Sequence, residues 1–483
     1  MVMGLFDTIY HHELTERLAW RPSQAGELRL HGARNLAYAV VFAAIGWTEP
    51  HGAAAIALLA VIAGDVGITL WDFVEEDRTR KLPATERVTH TLLTLNYGAL
   101  LVLLLPPFWR WAVLPISILP AYHGACSWLC AVASAGVVAS GVRDWAAAIR
   151  ARHLHPADAA SLAGALHGRR ALLVTGGTGF IGRRLVAALV ATGHDVTVLT
   201  RCRAHAADLP APVRIVTALD QFTTDMRVDA IVNLAGEPIA SGRWTAAKRQ
   251  AILASRLAVT RDVLALIGRL KRVPAVLVGA SAIGWYGTRQ DEVLDETADM
   301  GDGFCPSVCV AWEREALRAA ERSVRVVLLR IGLVLAADGG MLARLLTPFE
   351  FGLGGRLGAG RHWMSWVHRD DLVRLIVHAI ATPGLRGPVN ATAPEPVRNA
   401  DFTTALGRAL HRPAVLCVPA APLRVALGDL AEELLLGGQR VVPRAALGSG
   451  FRFAYPGLDA ALRAIVGRRD VVPATADRVA LVS

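Results

Sequence analysis

Apolar and polar positions divide the chain into two parts with different patterns. Four apolar stretches, at about 35–48, 52–71, 91–108 and 112–141, are separated by short polar connections. A helix needs about 20 apolar residues to cross the hydrocarbon core of a bilayer. The pattern therefore predicts an all-α domain of four transmembrane helices over residues 1–150, followed by a polar linker over 151–168.

Arginine and lysine flank these stretches unevenly. They precede the first stretch, separate the second from the third and follow the fourth, whereas the other two connections hold only Arg110. Cationic residues accumulate on the cytoplasmic side of membrane proteins. We therefore expect a multi-pass protein of the cell membrane, in contact with the lipid bilayer, with both termini and everything after residue 150 in the cytoplasm.

After residue 168 short apolar runs alternate with helical segments. Strands are predicted at 171–175, 195–200, 229–233, 274–279 and 325–330, and helices at about 183–192, 245–270 and 308–323. This alternation is typical of an α/β Rossmann-type, doubly wound parallel sheet that binds ligands at the carboxyl ends of its strands. We expect an NAD(P)-binding domain with interleaved substrate-lobe segments over 169–410. A small C-terminal module over 411–470, with an amphipathic helix at 423–436, would complete the substrate lobe before a tail at 471–483.

A glycine-rich turn connects the first of these strands to the first helix. Gly176 permits a tight turn, Gly179 lets the backbone approach a pyrophosphate, and Gly182 allows the helix to pack closely on the strand. The free amides of the helix N-terminus then face the phosphates. The predicted cofactor-binding residues are those of this turn and of the other strand ends: Gly176, Gly177, Thr178, Gly179, Phe180, Ile181, Gly182, Thr200, Arg201, Asn233, Leu234, Ala235, Gly236, Ser281 and Arg330.

The end of the second strand indicates which dinucleotide binds. An NAD-binding protein places Asp or Glu there to hold the ribose hydroxyls, but this chain has Thr200-Arg201-Cys202-Arg203. Because a guanidinium pairs bidentately with phosphate oxygens, Arg201 favours NADP(H) over NAD(H). The alternative is that these are two ordinary surface arginines.

Composition narrows the class of protein further. The chain has 53% hydrophobic and 19% charged residues, which excludes a disordered protein. Its net charge of +10 comes mostly from arginine, but no basic run is interleaved with aromatic residues, so we expect no nucleic-acid partner. The six cysteines form no C-x-x-C pair, which favours a reducing compartment, and Cys126, Cys130, Cys305 and Cys309 are interpreted as small buried packing residues.

Acidic residues and one histidine are concentrated between Asp72 and His90. Glu86 and His90 are four positions apart, on one face of a helix, and such a set could bind a metal. We interpret the segment instead as a charge-paired helical hairpin and assign no metal ligand. Asp65 lies within the second apolar stretch and should face the interior of the bundle.

A set of linked motifs identifies a family. The segments concerned are 233–239, 281–287, 308–313, 352–355, 365–370, 390–397 and 438–443, together with Arg243, Lys248 and Arg256. They resemble the extended short-chain dehydrogenase/reductases of the nucleoside-diphosphate-sugar epimerase kind, in the atypical subgroup called epimerase family proteins. The resemblance covers about 170–467 and implies a nicotinamide cofactor. The membrane portion looks like an N-terminal extension that some members carry.

The chain departs from this superfamily in its catalytic pair. Ordinary members use Tyr-x-x-x-Lys, but the only tyrosines after residue 150, Tyr286 and Tyr455, are followed four positions later by Gln and Asp. By position, Val308 and Trp312 replace the pair, and neither can act as a general acid or base. The resemblance matches Ser281 to the family's hydrogen-bond donor. The alternative is that Ser281 is a strand-end serine bonded to the backbone. Tyr286 is the remaining candidate for a proton relay.

Several polar residues are candidates for substrate binding. Besides Glu237, Arg243 and Lys248 near the crevice, the Gly-rich segment 348–370 carries Arg361 and His362. A mobile loop with these cations would suit an anionic substrate. The alternative is a structural loop fixed by its tryptophans.

Two functions from different classes follow. The first is a membrane-anchored, cytoplasm-facing NADP(H)-binding oxidoreductase or epimerase for a small anionic or sugar-like substrate. The second is a non-catalytic NADP(H)-binding sensor or scaffold coupled to the membrane domain. A weaker third alternative is a metal or redox site within the four helices. The sequence assigns no oligomeric state.

Overall fold

A computed structural model describes residues 2–154 and 157–467 of the chain. The chain divides into two compact units, 1–155 and 156–483, and the division falls within the predicted linker. The predicted tail at 471–483 lies outside the described residues.

The first unit is a bundle of long helices. Its helices are α1 (Val2–Phe6), α2 (Ala25–Trp47), α3 (Ala53–Thr79), α4 (Ala84–Ala112) and α5 (Ala125–Ala151), and a π-helical segment covers Asp7–Thr15. Two short strands, β1 (Thr48–His51) and β2 (Ser117–Pro120), connect α2 to α3 and α4 to α5. They pair with each other in antiparallel register, so backbone hydrogen bonds join the two helical hairpins.

Four long helices occur where four were predicted, but they are not equally suited to a bilayer. Helices α3, α4 and α5 are long and apolar enough to cross a membrane by length and composition. Helix α2 begins with a polar third that includes Glu27, Arg29 and Arg34, which leaves a shorter apolar segment. Asp65 on α3 is buried, as expected for a carboxyl group that faces the bundle interior.

The second unit is built on a seven-stranded parallel sheet. Its strands are β3 (Ala171–Thr175), β4 (Asp195–Leu199), β5 (Arg214–Val216), β6 (Ala230–Asn233), β7 (Val276–Ala282), β8 (Val293–Leu294), β9 (Arg325–Ile331), β10 (Leu333–Leu335), β11 (Gly355–Leu357), β12 (Trp363–Met364), β13 (Trp366–His368), β14 (Gly387–Ala391), β15 (Val397–Arg398), β16 (Leu416–Val418) and β17 (Arg440–Val441). Its helices are α6 (Ala159–Leu162), α7 (Phe180–Ala191), α8 (Ala246–Arg269), α9 (Phe304–Leu317), α10 (Gly340–Glu350), α11 (Arg369–Ala381), α12 (Asn399–Leu410), α13 (Ala420–Leu427), α14 (Arg444–Gly448) and α15 (Leu458–Ile465).

The strand order of the large sheet is β14-β9-β7-β6-β3-β4-β5. The chain proceeds outward from β3 to β5 and then returns to the other side of β3 with β6, so the strand order reverses between β3 and β6. Ligands of doubly wound sheets bind at this reversal. Both faces are covered, as continuous apolar strands require: Leu172 and Val174 are buried in one core cluster, and Leu173 is buried in another.

Two predicted segments differ from the structure. The helix predicted over 423–436 is interrupted, because Gly428 adopts a left-handed φ of +60° after α13, and a π-helical segment follows at Ala431–Leu436. Part of the predicted linker is folded: α6 lies within it, and Leu162, Ala163 and Leu166 are buried in the core of the second unit. Leu162 ends α6, and Ala163 and Leu166 follow it in non-helical backbone, so the three form a short apolar patch in an otherwise polar segment.

Candidate functional site

The glycine-rich turn follows β3 at the point where the strand order reverses. Gly176 has a φ of +67°, and a Cβ there would lie 2.8 Å from the backbone carbon of Leu234. A Cβ at Gly182 would lie only 2.2 Å from the carbonyl oxygen of Gly176. Helix α7 begins immediately after Gly179, whose N–H donates to the same carbonyl. The backbone can therefore follow this path only with glycine at positions 176 and 182.

Asn233 holds the end of β6 beside this turn. Its Oδ1 accepts a 2.6 Å hydrogen bond from Thr175 Oγ1, and its Nδ2 donates to Thr260 Oγ1 at 3.1 Å. The side chain is buried and fully used within the protein. Asn233 therefore fixes the path of Leu234, Ala235 and Gly236 past the glycine turn.

The end of β4 carries no carboxylate. Thr200 is buried and its hydroxyl bonds to the backbone of Cys202, whereas Arg201 is exposed. The pKa of Glu237 is lowered mainly by its hydrogen bond with Lys248, and the charge of Arg201 contributes to the lowering. Arg201 is thus within electrostatic range of the residues that follow β6.

Ser281 and Arg330 end neighbouring strands and bind the same carboxylate. Ser281 Oγ donates to Glu313 Oε1 at 2.6 Å. Arg330 donates to both Glu313 oxygens, through Nε and Nη2, at 3.0 Å each. All three residues are buried. The hydroxyl proton of Ser281 is therefore directed to Glu313, and Arg330 neutralises a buried acid.

Tyr286 belongs to the same network. Its hydroxyl donates to Asn390 Oδ1 at 2.7 Å and accepts from Arg330 Nη1 at 3.1 Å. The whole side chain is buried, and burial raises its pKa above the ordinary value. At neutral pH Tyr286 is a phenol whose hydrogen bonds are made within the protein.

Helix α9 carries the two residues that the sequence matched by position to the superfamily's catalytic pair. Val308 and Trp312 are both buried. Cys305 and Cys309 are buried too, as their packing role predicts, whereas the same prediction was wrong for Cys126, which is exposed. Burial raises the thiol pKa of both Cys305 and Cys309, that of Cys309 to about 11. Neither cysteine is a thiolate at neutral pH.

Arg256 on α8 was noted in the sequence only within a family motif, with no role assigned to it. Its guanidinium lies 5.0 Å from the centre of the Trp312 ring. Its Nη1 donates to the carbonyl oxygens of Glu237 at 3.0 Å and Ile252 at 2.8 Å. The signal in the sequence is Gly236, because a Cβ there would lie 3.2 Å from the arginine side chain. A positive charge therefore stands beside the ring of Trp312.

The predicted substrate residues fall into separate groups. Lys248 Nζ contacts Glu237 Oε1 and Ser241 Oγ at 2.8 Å each. Arg243 is exposed near Gly428, since a Cβ on that glycine would lie 3.8 Å from Arg243 Nε. The structure joins Glu237 to Lys248 and gives Arg243 a different neighbour.

Arg361 and His362 lie in a segment that is held by strands and ring contacts. Arg361 is exposed, and burial lowers the pKa of the half-buried His362. Trp363 Nε1 donates to Asp291 Oδ1 at 2.7 Å, and β11 pairs with β16. Trp363 and the strand pairing thus hold segment 348–370 in place, with Arg361 on its surface, and substrate binding by Arg361 and His362 stays a prediction.

Comparisons with known proteins agree with this geometry. Residues 172–390 match the model of the NAD dependent epimerase/dehydratase family, and residues 418–465 match a domain of unknown function, DUF1731. An epimerase family protein of Mycobacterium tuberculosis is 43% identical over 290 residues, which are 60% of this chain and 95% of that protein. One of Bos taurus is 38% identical over 301 residues, 61% of this chain and 99% of that protein.

Solved structures extend the likeness to three dimensions. The human epimerase family protein SDR39U1, crystallised with NADPH, has a TM-score of 0.56 and 34% identity, covering 61% of this chain and 98% of that one. A nucleoside-diphosphate sugar epimerase from Corynebacterium glutamicum has a TM-score of 0.51 and 30% identity, covering 67% of this chain and 63% of that one. The second unit is therefore a Rossmann-like, nicotinamide-cofactor-binding fold, and the chain belongs to the epimerase family proteins of the NAD dependent epimerase/dehydratase family.

Proposed function

We propose that this chain is a membrane-anchored, cytoplasm-facing NADP(H)-dependent oxidoreductase or epimerase that acts on a small anionic or sugar-like substrate. The observation that carries the cofactor choice is Arg201, exposed directly after β4, where residues 200–203 contain no acid. A carboxylate at this place would repel a 2′-phosphate, whereas a guanidinium pairs with two of its oxygens. That the human relative was crystallised with NADPH supports the same choice.

The experiment compares Arg201→Ala with the native protein for both cofactors. We expect the Kd for NADPH to rise at least tenfold and the Kd for NADH to change less than threefold, because only NADPH carries the phosphate. Arg214→Ala is the matched control, since this exposed arginine begins β5, which is parallel to β4, and so lies toward the amino ends of the strands, whereas Arg201 follows the carboxyl end of β4. Equal losses for both cofactors would contradict the NADP(H) preference.

The membrane anchor and the substrate class rest on other observations. Helices α3, α4 and α5 have the length and composition of bilayer spans, and cationic residues flank the four apolar stretches on one side. Lys248, Arg243 and Arg361 supply positive charge for an anionic group, with His362 beside Arg361. Lys248 and Glu237 form the ion pair beside the crevice and are our candidates for orienting the substrate.

A second candidate function is a sensor or scaffold that binds NADP(H) without turnover. Three observations favour it: α9 presents Val308 and Trp312, Ser281 donates to Glu313, and Tyr286 donates to Asn390. Apolar side chains thus stand in place of the catalytic pair, and the hydroxyls of Ser281 and Tyr286 donate their hydrogen bonds to other residues of the protein. This function predicts normal NADPH binding and no hydride transfer.

Deuterated NADPH distinguishes the two functions. The protein is incubated with a metabolite extract and NADPH deuterated at either face of C4, and mass spectrometry locates the label. Deuterium in one metabolite would establish catalysis and name the substrate. If NADPH binds but nothing is labelled, net reduction is excluded. The sensor is then favoured over an epimerase that returns its own hydride.

A further inference from the structure

The first unit gathers acidic and histidine side chains at one place, apart from the nucleotide-binding crevice. They come from the π-helical segment and from α2, α3 and α4. On each helix two of them are four positions apart and so share a face. The residues of this polar cluster are Asp7, His12, Glu27, His31, Asp72, Glu76, Glu86 and His90.

Their ligand atoms lie at the spacing of a coordination sphere. The cluster contains four overlapping sets of three residues, and within each set one atom per residue lies within 4.8 Å of the others. Glu76 belongs to two sets, one with His31 and Asp72 and one with Glu86 and His90. His31 Nε2 is 3.2 Å from Asp72 Oδ2, and His90 Nδ1 is 3.5 Å from Glu76 Oε2. Glu76 thus occupies the shared position between two three-residue sets.

The atoms at this shared position make no hydrogen bonds. Glu76 is fully buried, and neither of its carboxylate oxygens has a hydrogen-bond partner among the described residues. Asp72 Oδ1 and His90 Nδ1 are buried and likewise make no hydrogen bond among the described residues. Leaving such groups unsatisfied is costly, and buried carboxylates are normally paired or bound to metal.

The orientation of His90 shows which atom it offers. His90 Nε2 lies 3.2 Å from Asp7 Oδ2. Because a carboxylate only accepts, Nε2 carries the proton, and Nδ1 is left facing Glu76. A histidine that gives one N–H to a carboxylate and offers its other nitrogen is the usual arrangement of a metal ligand.

Charge within the cluster points the same way. Its five carboxylates face two arginines: Arg80 binds Glu27 and Glu86 and lies 3.5 Å from Glu76 Oε1, and Arg34 binds Asp72. Three negative charges remain for the histidines or a cation to balance. His12 and His31 are stacked, with ring centres 4.7 Å apart, so charging both would place like charges in contact. A divalent cation balances the excess without that repulsion.

We propose that the polar cluster binds divalent first-row transition-metal ions, with the Glu76 carboxylate shared by the His31–Asp72 and Glu86–His90 sets. Imidazole with carboxylate, without thiolate, suits Fe²⁺, Mn²⁺ or Zn²⁺. Arg80 orients Glu86 through one hydrogen bond to each of its oxygens and leaves the remaining lone pairs available. Asp7 orients His90 in the same manner.

The test uses the full chain in detergent micelles, freed of metal with a chelator and titrated with Co²⁺. We expect visible d–d absorption that saturates at two ions or fewer per chain, and a higher Tm with the ion bound. Glu76→Gln should weaken Co²⁺ binding at least a hundredfold. Glu75→Gln, a partly exposed neighbour outside the cluster, is the matched control and should bind as the native protein does.

A second variant keeps the test decisive if Glu76→Gln does not fold. His90→Gln removes one nitrogen and should weaken Co²⁺ binding at least tenfold, while the helical circular dichroism of each metal-free variant reports that its bundle is folded. No saturable Co²⁺ binding by the native protein would overturn the proposal. Equal loss in Glu75→Gln and Glu76→Gln would overturn it as well. Neither readout depends on the function proposed for the second unit.

Discussion

Buried polar side chains in the second unit bond to partners that are distant in the sequence. Tyr286 donates to a residue 104 positions away, and Ser281 to one 32 positions away. The sequence identified both as chemically capable and placed them near strand ends. The sequence did not show which residues would be their hydrogen-bond partners, because hydrogen bonds between elements depend on packing that no local pattern encodes. Asn390 was noted only within a family motif.

Tyr286→Phe tests whether this tyrosine is structural. The change leaves the buried Asn390 Oδ1 without its donor, so we expect a loss of about 1–3 kcal/mol in the free energy of unfolding. Thermal denaturation measures this loss, and the Kd for NADPH should stay within twofold of the native value. An unchanged Tm together with lost turnover would instead identify Tyr286 as catalytic.

Gly182→Ala tests the close packing of α7 on the glycine turn. The new Cβ would meet the Gly176 carbonyl oxygen at 2.2 Å, and backbone atoms cannot move aside as a flexible side chain can. We expect a loss of about 1–3 kcal/mol or more in stability, together with at least tenfold weaker NADPH binding. Gly384→Ala is the control, because nothing lies within 4 Å of its Cβ position. Similar effects in both variants would contradict this account.

The elements that local patterns predict well are the central ones. Strand β3 has the predicted bounds, and β4 differs by one residue, since continuous apolar runs mark strands that are buried on both faces. The outer strands β5 and β14 were not predicted: β5 has three residues, and β14 begins with Gly387-Pro388. Helix α6 was missed because its neighbours are polar and its apolar face is short.

Helix α6 gives a prediction about where the second unit begins. Leu162 and Leu166 are buried against the sheet core, so a protein that begins at residue 168 loses this packing. We expect its free energy of unfolding to be several kcal/mol smaller than that of a protein that begins at residue 157, and its Tm to be lower. Leu162→Ala in the longer protein should cost about 2–5 kcal/mol. Equal Tm values for the two lengths would show that α6 contributes nothing.

At the scale of the whole molecule, the hydropathy of the sequence predicts a boundary within the linker 151–168. The contacts of the structure place the boundary between the two units in the same segment, after residue 155. The sequence also located part of the polar cluster, Asp72 to His90. It did not join Asp7, His12 and His31 to it, because the folding of the bundle brings them together. The orientation of the first unit in a bilayer rests on charge alone and stays a prediction.

Chemical labelling in cells tests that orientation. Tyr122→Cys, at an exposed position between α4 and α5, should react with a membrane-impermeant maleimide in intact cells. The exposed Cys202 of the second unit should react only after permeabilisation. Cys126→Ser is included as background, since that exposed cysteine lies near the same connection. The reverse labelling pattern would show that the orientation is wrong.

The pairing of β1 with β2 bears on how the protein is made. Thr48 opposes Pro120, so the ribosome completes β1 long before its partner exists. At a synthesis rate of about 5–20 residues per second, the interval is roughly 4–14 s. Throughout that interval the first helical hairpin exposes an unpaired strand edge, which is a site for wrong partners. A ribosome that stalls between the two strands would therefore leave a nascent chain that calls for a chaperone or insertase at this edge.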